Sequence, residues 1–460
     1  MNGGSVAVAI AFDRGSLTLT AGGEDSPHPL PEFLTWDHRI GAYRCHAIHY
    51  RALVHHLTRR GVCFTDGAAD YPTLTLRPTG LREPYPFQRE ALEAWLRGKR
   101  GTVELPTGSG KTIVGLHAIF RVQRGTLVLV PTLDLAAQWC DTLEIALGIV
   151  PGMVGGGSFS LQPVTVCTYA SAYIHAERFG ARFGLVIFDE CHHLAGARYR
   201  RIAEAIIAPY RLGISATLER PDMAHQHLVK LIGPVIYRKG INELSGSYLA
   251  DYEVQVLHAQ LSETERAEYD DSRAVYLDFV RECGVQLNSP RGWQRFIFAA
   301  SRNAQGRSAL DAYYRQKRIA YAAEDKFRIA ASLLERHRGE RVIIFTNDNA
   351  TAYEVSRRFL LPIITHQTPI AERREILARF QEGRWPTVVT SKVLNEGVDL
   401  PAAGVALILS GTASVREHVQ RLGRILRKYR GKRAVLYEIL TRHTSEESTS
   451  DRRRRHDAYR

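Results

Sequence analysis

The chain has 460 residues, 45% of them hydrophobic and 24% charged. These values sit near the globular norm, exclude a disordered, collagen-like or fibrous chain, and fit roughly two to four domains. Lysine and arginine number 61 against 48 acidic residues, and the net charge of +13 favours a polyanionic partner. None of the six cysteines forms a C-x-x-C pair, which excludes zinc-ribbon, redox-motif and iron–sulfur spacings and fits a reducing compartment. No apolar run reaches the roughly 18–20 residues of a membrane span.

Taken in chain order, two short apolar runs come first, Val6–Phe12 and Ser16–Ala21, on either side of Asp13-Arg14-Gly15, a hairpin signal. The first run is too short, and lacks the preceding basic segment, for a signal peptide. A helical stretch near His46 to Arg59 completes a small α+β unit over residues 1–78. Over 79–240, the runs Leu127–Val130, Val164–Cys167, Leu185–Phe188 and Leu212–Ile214 alternate with helical stretches, the pattern of a parallel sheet with crossover helices. Residues 241–335 read as mostly helical, charged and tyrosine-rich. The α/β pattern returns over 336–445, with Val342–Phe345, Thr387–Val389 and Val405–Leu409 as strands. Residues 446–460 read as a basic tail that includes Arg452 to Arg455. The fold class expected is α/β: two parallel-sheet lobes, a small N-terminal α+β domain and a helical insertion.

Residues 105–112 read Leu-Pro-Thr-Gly-Ser-Gly-Lys-Thr, with a strand before and a helix after. In that context Thr107, Gly108, Ser109 and Gly110 form a turn whose backbone N–H groups, with the helix N-terminus, face phosphate oxygens. Lys111 reaches the β and γ phosphates of ATP, and Thr112 supplies a hydroxyl to Mg²⁺. Asp189 and Glu190 end the strand Leu185–Phe188. At the carboxyl edge of a parallel sheet such a pair lies beside the phosphate loop. Asp189 is expected to bind Mg²⁺ through water and Glu190 to take the proton of the attacking water. A shared metal site in Asp-Glu-Cys-His-His is disfavoured, because adjacent residues at a strand end point in different directions.

At this point the residues resemble superfamily 2 helicases. The phosphate loop, Asp189-Glu190-Cys191-His192 and Ser215-Ala216-Thr217 form the first-lobe motif set. Val342–Thr346, Thr390–Asp399 and Gln420–Arg427 form the second. Within that superfamily the chain looks like the XPB family in its short prokaryotic form, on Pro131–Trp139, Thr168–Tyr173, Phe188–Leu194 and Leu394–Pro401 as well as the loop. The resemblance implies two RecA-like lobes around one Mg-ATP. It implies DNA opening or translocation with 3′→5′ polarity, an N-terminal domain that senses distorted DNA, and a helical thumb within 241–335. It also implies a cytoplasmic, nucleoid-associated monomer acting on forked, bubble or distorted DNA, single-stranded and duplex, without a membrane. A nuclease partner in archaea, and nucleotide excision repair or transcription as the setting, complete the picture.

The resemblance further implies that Gln88 meets the adenine edge, as a group that both donates and accepts can, and that Gly397 and Asp399 serve the nucleotide site. Arg421 and Arg424 share one helix face, and one of them is expected at the γ-phosphate as an arginine finger. Gln420 orients the attacking water or contacts His192. Ser215 and Thr217 couple turnover to motion. Thr132, Thr168, Thr346, Thr390 and Ser391 follow or end strands, where a hydroxyl or a backbone N–H can touch a DNA phosphate. One motif departs from the family: its Arg-Glu-Asp reads Arg220-Pro221-Asp222 here. Proline removes a carboxylate and a backbone donor, which weakens the case for efficient strand separation. Rival readings are a duplex DNA translocase, an RNA helicase and a non-catalytic clamp. Between Gln420 and Arg460 stand 13 Lys/Arg against 5 Asp/Glu, a bias toward sequence-independent phosphate contact. Of the insertion's aromatics (Tyr269, Tyr276, Trp293, Phe296, Phe298, Tyr313 and Tyr314), core packing claims most, and any left exposed can stack on bases.

Overall fold

A computed structural model describes residues 8–20, 30–218, 226–287, 289, 291–391, 403–410, 423, 434–447 and 450. Two compact units emerge, one built from Met1–Pro106 and Gly110–Lys239, the other from Thr107–Ser109 and Gly240–Arg460.

The first unit opens with β1 (Val8–Asp13) and β2 (Ser16–Thr20), paired antiparallel through the two-residue turn Arg14-Gly15. Both turn residues have positive φ, 43° and 83°, the twist that matches a hairpin's strands. With β3 (Thr35–Asp37), β4 (Ala42–His46) and β5 (Phe64–Gly67) they make a five-stranded sheet in the order β3-β4-β2-β1-β5. Helix α1 (Tyr50–Arg59) covers one face, burying Tyr50, Leu53 and Leu57 against Ile10, Leu17 and Leu19. This small sheet is fastened to the rest of its unit. Ile207 belongs to its core, and Arg51 Nη1 donates to the Gly98 carbonyl at 2.9 Å.

The larger sheet of this unit follows. Its first elements are α2 (Pro86–Gly98), β6 (Arg100–Glu104), α3 (Lys111–Val122), β7 (Thr126–Val130), α4 (Leu133–Leu147), β8 (Gly152–Gly155) and β9 (Ser158–Phe159). Then come β10 (Val164–Thr168), α5 (Tyr169–Phe179), β11 (Leu185–Asp189), α6 (Ala197–Glu204), β12 (Tyr210–Ser215), α7 (Gln226–Leu231) and β13 (Val235–Arg238). The strand order is β13-β6-β12-β11-β7-β10-β8-β9. Strands β7, β10 and β11 are buried along their whole length, which is why they read as unbroken apolar runs instead of alternating ones. The connection from β6 to β7 passes over β12 and β11, so loops diverge at the carboxyl ends of these strands and leave a crevice there.

Arg211, on β12, is fully buried, and its guanidinium donates to the carbonyls of Ala203 (3.0 Å), Ile206, Ala208 (3.1 Å) and Leu231 (2.8 Å). A guanidinium fits this task, with five donors in a fixed fork. Each carbonyl left unpaired in its absence would cost about 1–3 kcal/mol.

The second unit carries α8 (Ile241–Leu244), β14 (Tyr252–Ala259), α9 (Glu263–Glu282), α10 (Gly292–Ala300), α11 (Ala304–Tyr321) and α12 (Glu324–Arg336). After these come β15 (Val342–Phe345), α13 (Asn349–Phe359), β16 (Ile363–Ile364), α14 (Ile370–Glu382), β17 (Thr387–Thr390), β18 (Val405–Ile408) and β19 (Ala434–Thr441). Its sheet, β14-β19-β18-β15-β17-β16, is parallel throughout. Strand β14 lies inside the stretch read as mostly helical, and α12 packs Phe327, Ala330 and Leu333 onto the same sheet. Helices α9, α10 and α11 hold their own core of Tyr276, Phe279, Phe296, Ala300 and Ala309. Tyr269 is also buried, whereas Trp293, Phe298 and Tyr314 are exposed.

Packing also runs into the stretch read as a tail. Glu446 and Ser450 are buried, and Lys326 Nζ, wholly buried on α12, lies 2.6 Å from Glu446 Oε2. Arg452 to Arg455 lie outside the described residues.

Candidate active site

Strand β6 delivers the chain into the phosphate loop. Gly108 and Gly110 have φ of 86° and 77°, a conformation costly for any residue with a Cβ. Gly110 also caps α3, and a Cβ there would come within 2.7 Å of Gln88 Nε2. The loop therefore hands directly into a helix whose first N–H groups have no intrahelical partner, the arrangement that binds phosphate. Lys111 and Thr112 head that helix.

Gln88 lies beside the loop. It is buried at the start of α2, its Oε1 accepting the Tyr85 N–H at 2.9 Å and its Nε2 donating to the Gly110 carbonyl at 3.2 Å. The side chain therefore tethers the loop to α2.

The acidic pair stands at the end of β11. Asp189 is buried, and both of its oxygens are held: Trp139 Nε1 donates to Oδ2 at 2.8 Å and the Glu190 N–H donates to Oδ1 at 2.9 Å. Tyr169 Oη donates to the Asp189 carbonyl at 3.0 Å, fixing the strand end as well. Burial first, and the neighbouring Glu190 carboxylate second, push the Asp189 carboxyl up to about 6. A divalent cation would reverse that, because it favours the ionised form. The residues fit Mg²⁺: two anchored carboxylate oxygens retain free lone pairs, and a carboxylate with a hydroxyl is the hard oxygen set this ion takes alongside water.

Glu190 sits at φ 47°, ψ 53°, a left-handed backbone that a non-glycine residue adopts at a cost. This turn swings its carboxylate back toward the loop. Oε1 lies 3.6 Å from Lys111 Nζ, and Oε2 lies 3.4 Å from His192 Nδ1 and 3.3 Å from Ser215 Oγ. Ser215 Oγ is also 3.0 Å from His192 Nδ1 and 3.0 Å from the Thr217 carbonyl. Lys111, Asp189, Glu190, His192 and Ser215 thus converge at the carboxyl edge of one sheet. Ser215 reaches the group because β12 lies between β6 and β11.

The remaining expected residues divide. Thr132 caps α4, accepting the Leu135 N–H, and Thr168 caps α5, accepting the Ser171 N–H, both at 3.2 Å. Their hydroxyls serve helix ends. Thr346, Thr390 and Ser391 are buried, and the Thr346 and Thr390 hydroxyls point to backbone carbonyls of Asp348 and Ser391. Arg220, Asp222, Gly397, Asp399, Gln420, Arg421 and Arg424 lie outside the described residues. Motif spacing gave Trp139 no role at this site. Its one sequence signal is a large aromatic with a polar N–H on a helix that starts at the same sheet edge.

Comparison with known proteins follows the same division of the chain. Residues 10–68 match the Xeroderma pigmentosum group B helicase damage recognition domain. Residues 82–220 match the type III restriction enzyme res subunit, and 307–457 the ERCC3/RAD25/XPB C-terminal helicase. Among solved structures, the Pyrococcus furiosus Hef helicase domain superposes with a TM-score of 0.54 over 79% of this chain and 97% of that one. S. cerevisiae Dbp5 bound to RNA and ADP BeF3 gives 0.57 over 81% and 87%. Both are 16% identical, so the likeness is one of fold. Parallel sheets of this kind, one of them carrying a phosphate loop and an Asp-Glu pair, define the RecA-like helicase class. The DNA 3′-5′ translocase XPB2 of Sulfurisphaera tokodaii is 38% identical, over 92% of this chain and 95% of that protein. The DNA 3′-5′ helicase XPB of Kineococcus radiotolerans is 30% identical, with 65% of its length covered. The general transcription and DNA repair factor IIH helicase/translocase subunit XPB/SSL2 of Saccharomyces cerevisiae is 27% identical, with 44% covered. The chain belongs to the XPB family.

Proposed function

We propose that the protein is a DNA-dependent ATPase that moves along DNA and opens it with 3′→5′ polarity. The observation that carries this reading is the convergence of Lys111, Asp189, Glu190 and Ser215 beside the phosphate loop. Lys111 and the α3 N-terminus hold the phosphates in line. Glu190 takes the proton from the attacking water, and Ser215 and His192 fix the carboxylate that does so. Asp189, through water, and Thr112 would hold Mg²⁺, which would supply positive charge against the phosphates. From the second-lobe motifs, one of Arg421 and Arg424 supplies the finger that stabilises transition-state charge, Gln420 orients the attacking water or contacts His192, and Gly397 and Asp399 serve the nucleotide site. DNA repair or transcription is the proposed setting, forked or distorted DNA the proposed substrate, and a nuclease the proposed partner of a cytoplasmic monomer.

Steady-state ATP hydrolysis tests this reading at fixed salt, without nucleic acid and then with single-stranded, duplex and forked DNA and with RNA. Stimulation by DNA, strongest with forks, is expected; stimulation by RNA alone would reject it. A second reading, duplex translocation without strand separation, is favoured by Pro221 in the Arg-Glu-Asp position. Under it, Pro221→Glu raises fork unwinding while ATP turnover stays level. No gain in unwinding would remove that explanation.

A further inference from the structure

We propose that Trp139 is a positioning residue for the Asp189 carboxylate: its indole N–H fixes Oδ2 so that Asp189 meets the magnesium of Mg-ATP in one orientation. The inference rests on the ATPase reading above and extends it to a residue on α4, outside the phosphate loop and the Asp-Glu pair.

Three observations carry it. Trp139 is wholly buried, and its Nε1 lies 2.8 Å from Asp189 Oδ2. Asp189 Oδ1 takes its own N–H, from the Glu190 backbone at 2.9 Å. The carboxylate is therefore pinned at both ends by donors from two different elements. An indole is a donor only, so it orients the acid without competing for a cation. The ring itself is locked: a Cβ on Gly115 of α3 would come within 2.7 Å of Trp139 Cη2. Glycine at 115 is what lets the indole lie flush against the helix that follows the phosphate loop. One side chain thus gauges the distance between the phosphate-binding helix and the metal-binding acid. Because the Asp189 side chain is buried, water would not freely replace a lost N–H bond.

The test uses the full chain, with Mn²⁺ as the paramagnetic probe for Mg²⁺ and AMP-PNP as nucleotide. Trp139 is replaced site-specifically by 3-benzothienylalanine, which keeps the bicyclic shape and has sulfur in place of N–H. Trp139→Phe is a second, coarser variant. Partners of metal ligands generally contribute about 10–100-fold to metal affinity. The expected result is a rise of about tenfold or more in the Mn²⁺ dissociation constant read by electron paramagnetic resonance. Nucleotide binding in EDTA by the benzothienyl variant should stay at the parental value, while its melting temperature falls modestly with the one lost buried hydrogen bond. Unchanged Mn²⁺ affinity in that variant overturns the proposal. So does a matching loss of metal-free nucleotide binding, which would make Trp139 a packing residue. If the unsubstituted chain binds no Mn²⁺ with nucleotide, the ATPase reading falls and takes this one with it.

Discussion

Lys111 Nζ faces Glu190 Oε1 across 3.6 Å, each side chain about nine-tenths buried. The ammonium proposed for phosphate and the carboxylate proposed for water thus share one corner of the sheet edge. Lys111→Ala should therefore abolish ATP turnover while DNA affinity, measured by fluorescence anisotropy, stays close to that of the parent. Retained hydrolysis would overturn the site.

Glu190→Gln keeps the shape and removes the base. Turnover should fall by about 10²–10⁴-fold, the usual contribution of general-base catalysis. Binding of a fluorescent ATP analogue should persist. A variant that hydrolyses normally would exclude Glu190 from proton transfer.

The threonines at the first sheet's edge separate two roles that look alike in sequence. If Thr132 and Thr168 are caps, alanine at either position lowers stability by about 1 kcal/mol and leaves DNA affinity and its salt dependence unchanged. Denaturant unfolding and binding titrations at two salt concentrations decide it. A drop in DNA affinity at constant stability would return these hydroxyls to the phosphate groove.

Lys326 and Glu446 are a buried ion pair at 2.6 Å within the second unit. Lys326→Met strands the carboxylate and should destabilise the protein by about 3–5 kcal/mol. Adding Glu446→Leu should recover most of that loss, because an apolar pair avoids the cost of desolvating two charges. Denaturation midpoints of the single and double variants give the answer; no recovery would show that Glu446 acts through the Thr441 N–H, which it also accepts at 3.1 Å.

Much of this was legible in the chain. Strands β7, β10 and β11 are buried on both faces, so their runs of valine, leucine and isoleucine announced them. The phosphate loop and the acidic pair are local patterns, and the fold joined them as their spacing suggested. Hidden features depended on distant partners. Strand β14, Tyr-Glu-Val-Gln-Val-Leu-His-Ala, is a half-buried strand of mixed polarity whose only partner among the described residues, β19, begins at Ala434. The Trp139–Asp189 bond spans 50 residues and the Lys326–Glu446 pair spans 120. A hydroxyl at a strand end looks the same in sequence whether it turns outward or, as at Thr346 and Thr390, into the backbone.

The fastening of the N-terminal sheet to the first unit has a practical consequence. Arg211 grips the carbonyls of the segment 203–208, and Ile207 of that segment sits in the small sheet's core. A dye on the small sheet therefore travels with the ATP site and serves as its optical reporter. Cys63 offers that handle, exposed just before β5, and Cys283, exposed just after α9, offers another on the second unit. Cys45 and Cys167 are buried, their thiols pushed up to about 12, and burial raises the Cys191 thiol well above the ordinary value too. Cys140, half-buried, is raised in the same sense. Near neutral pH a maleimide pair should therefore settle on positions 63 and 283 without engineering.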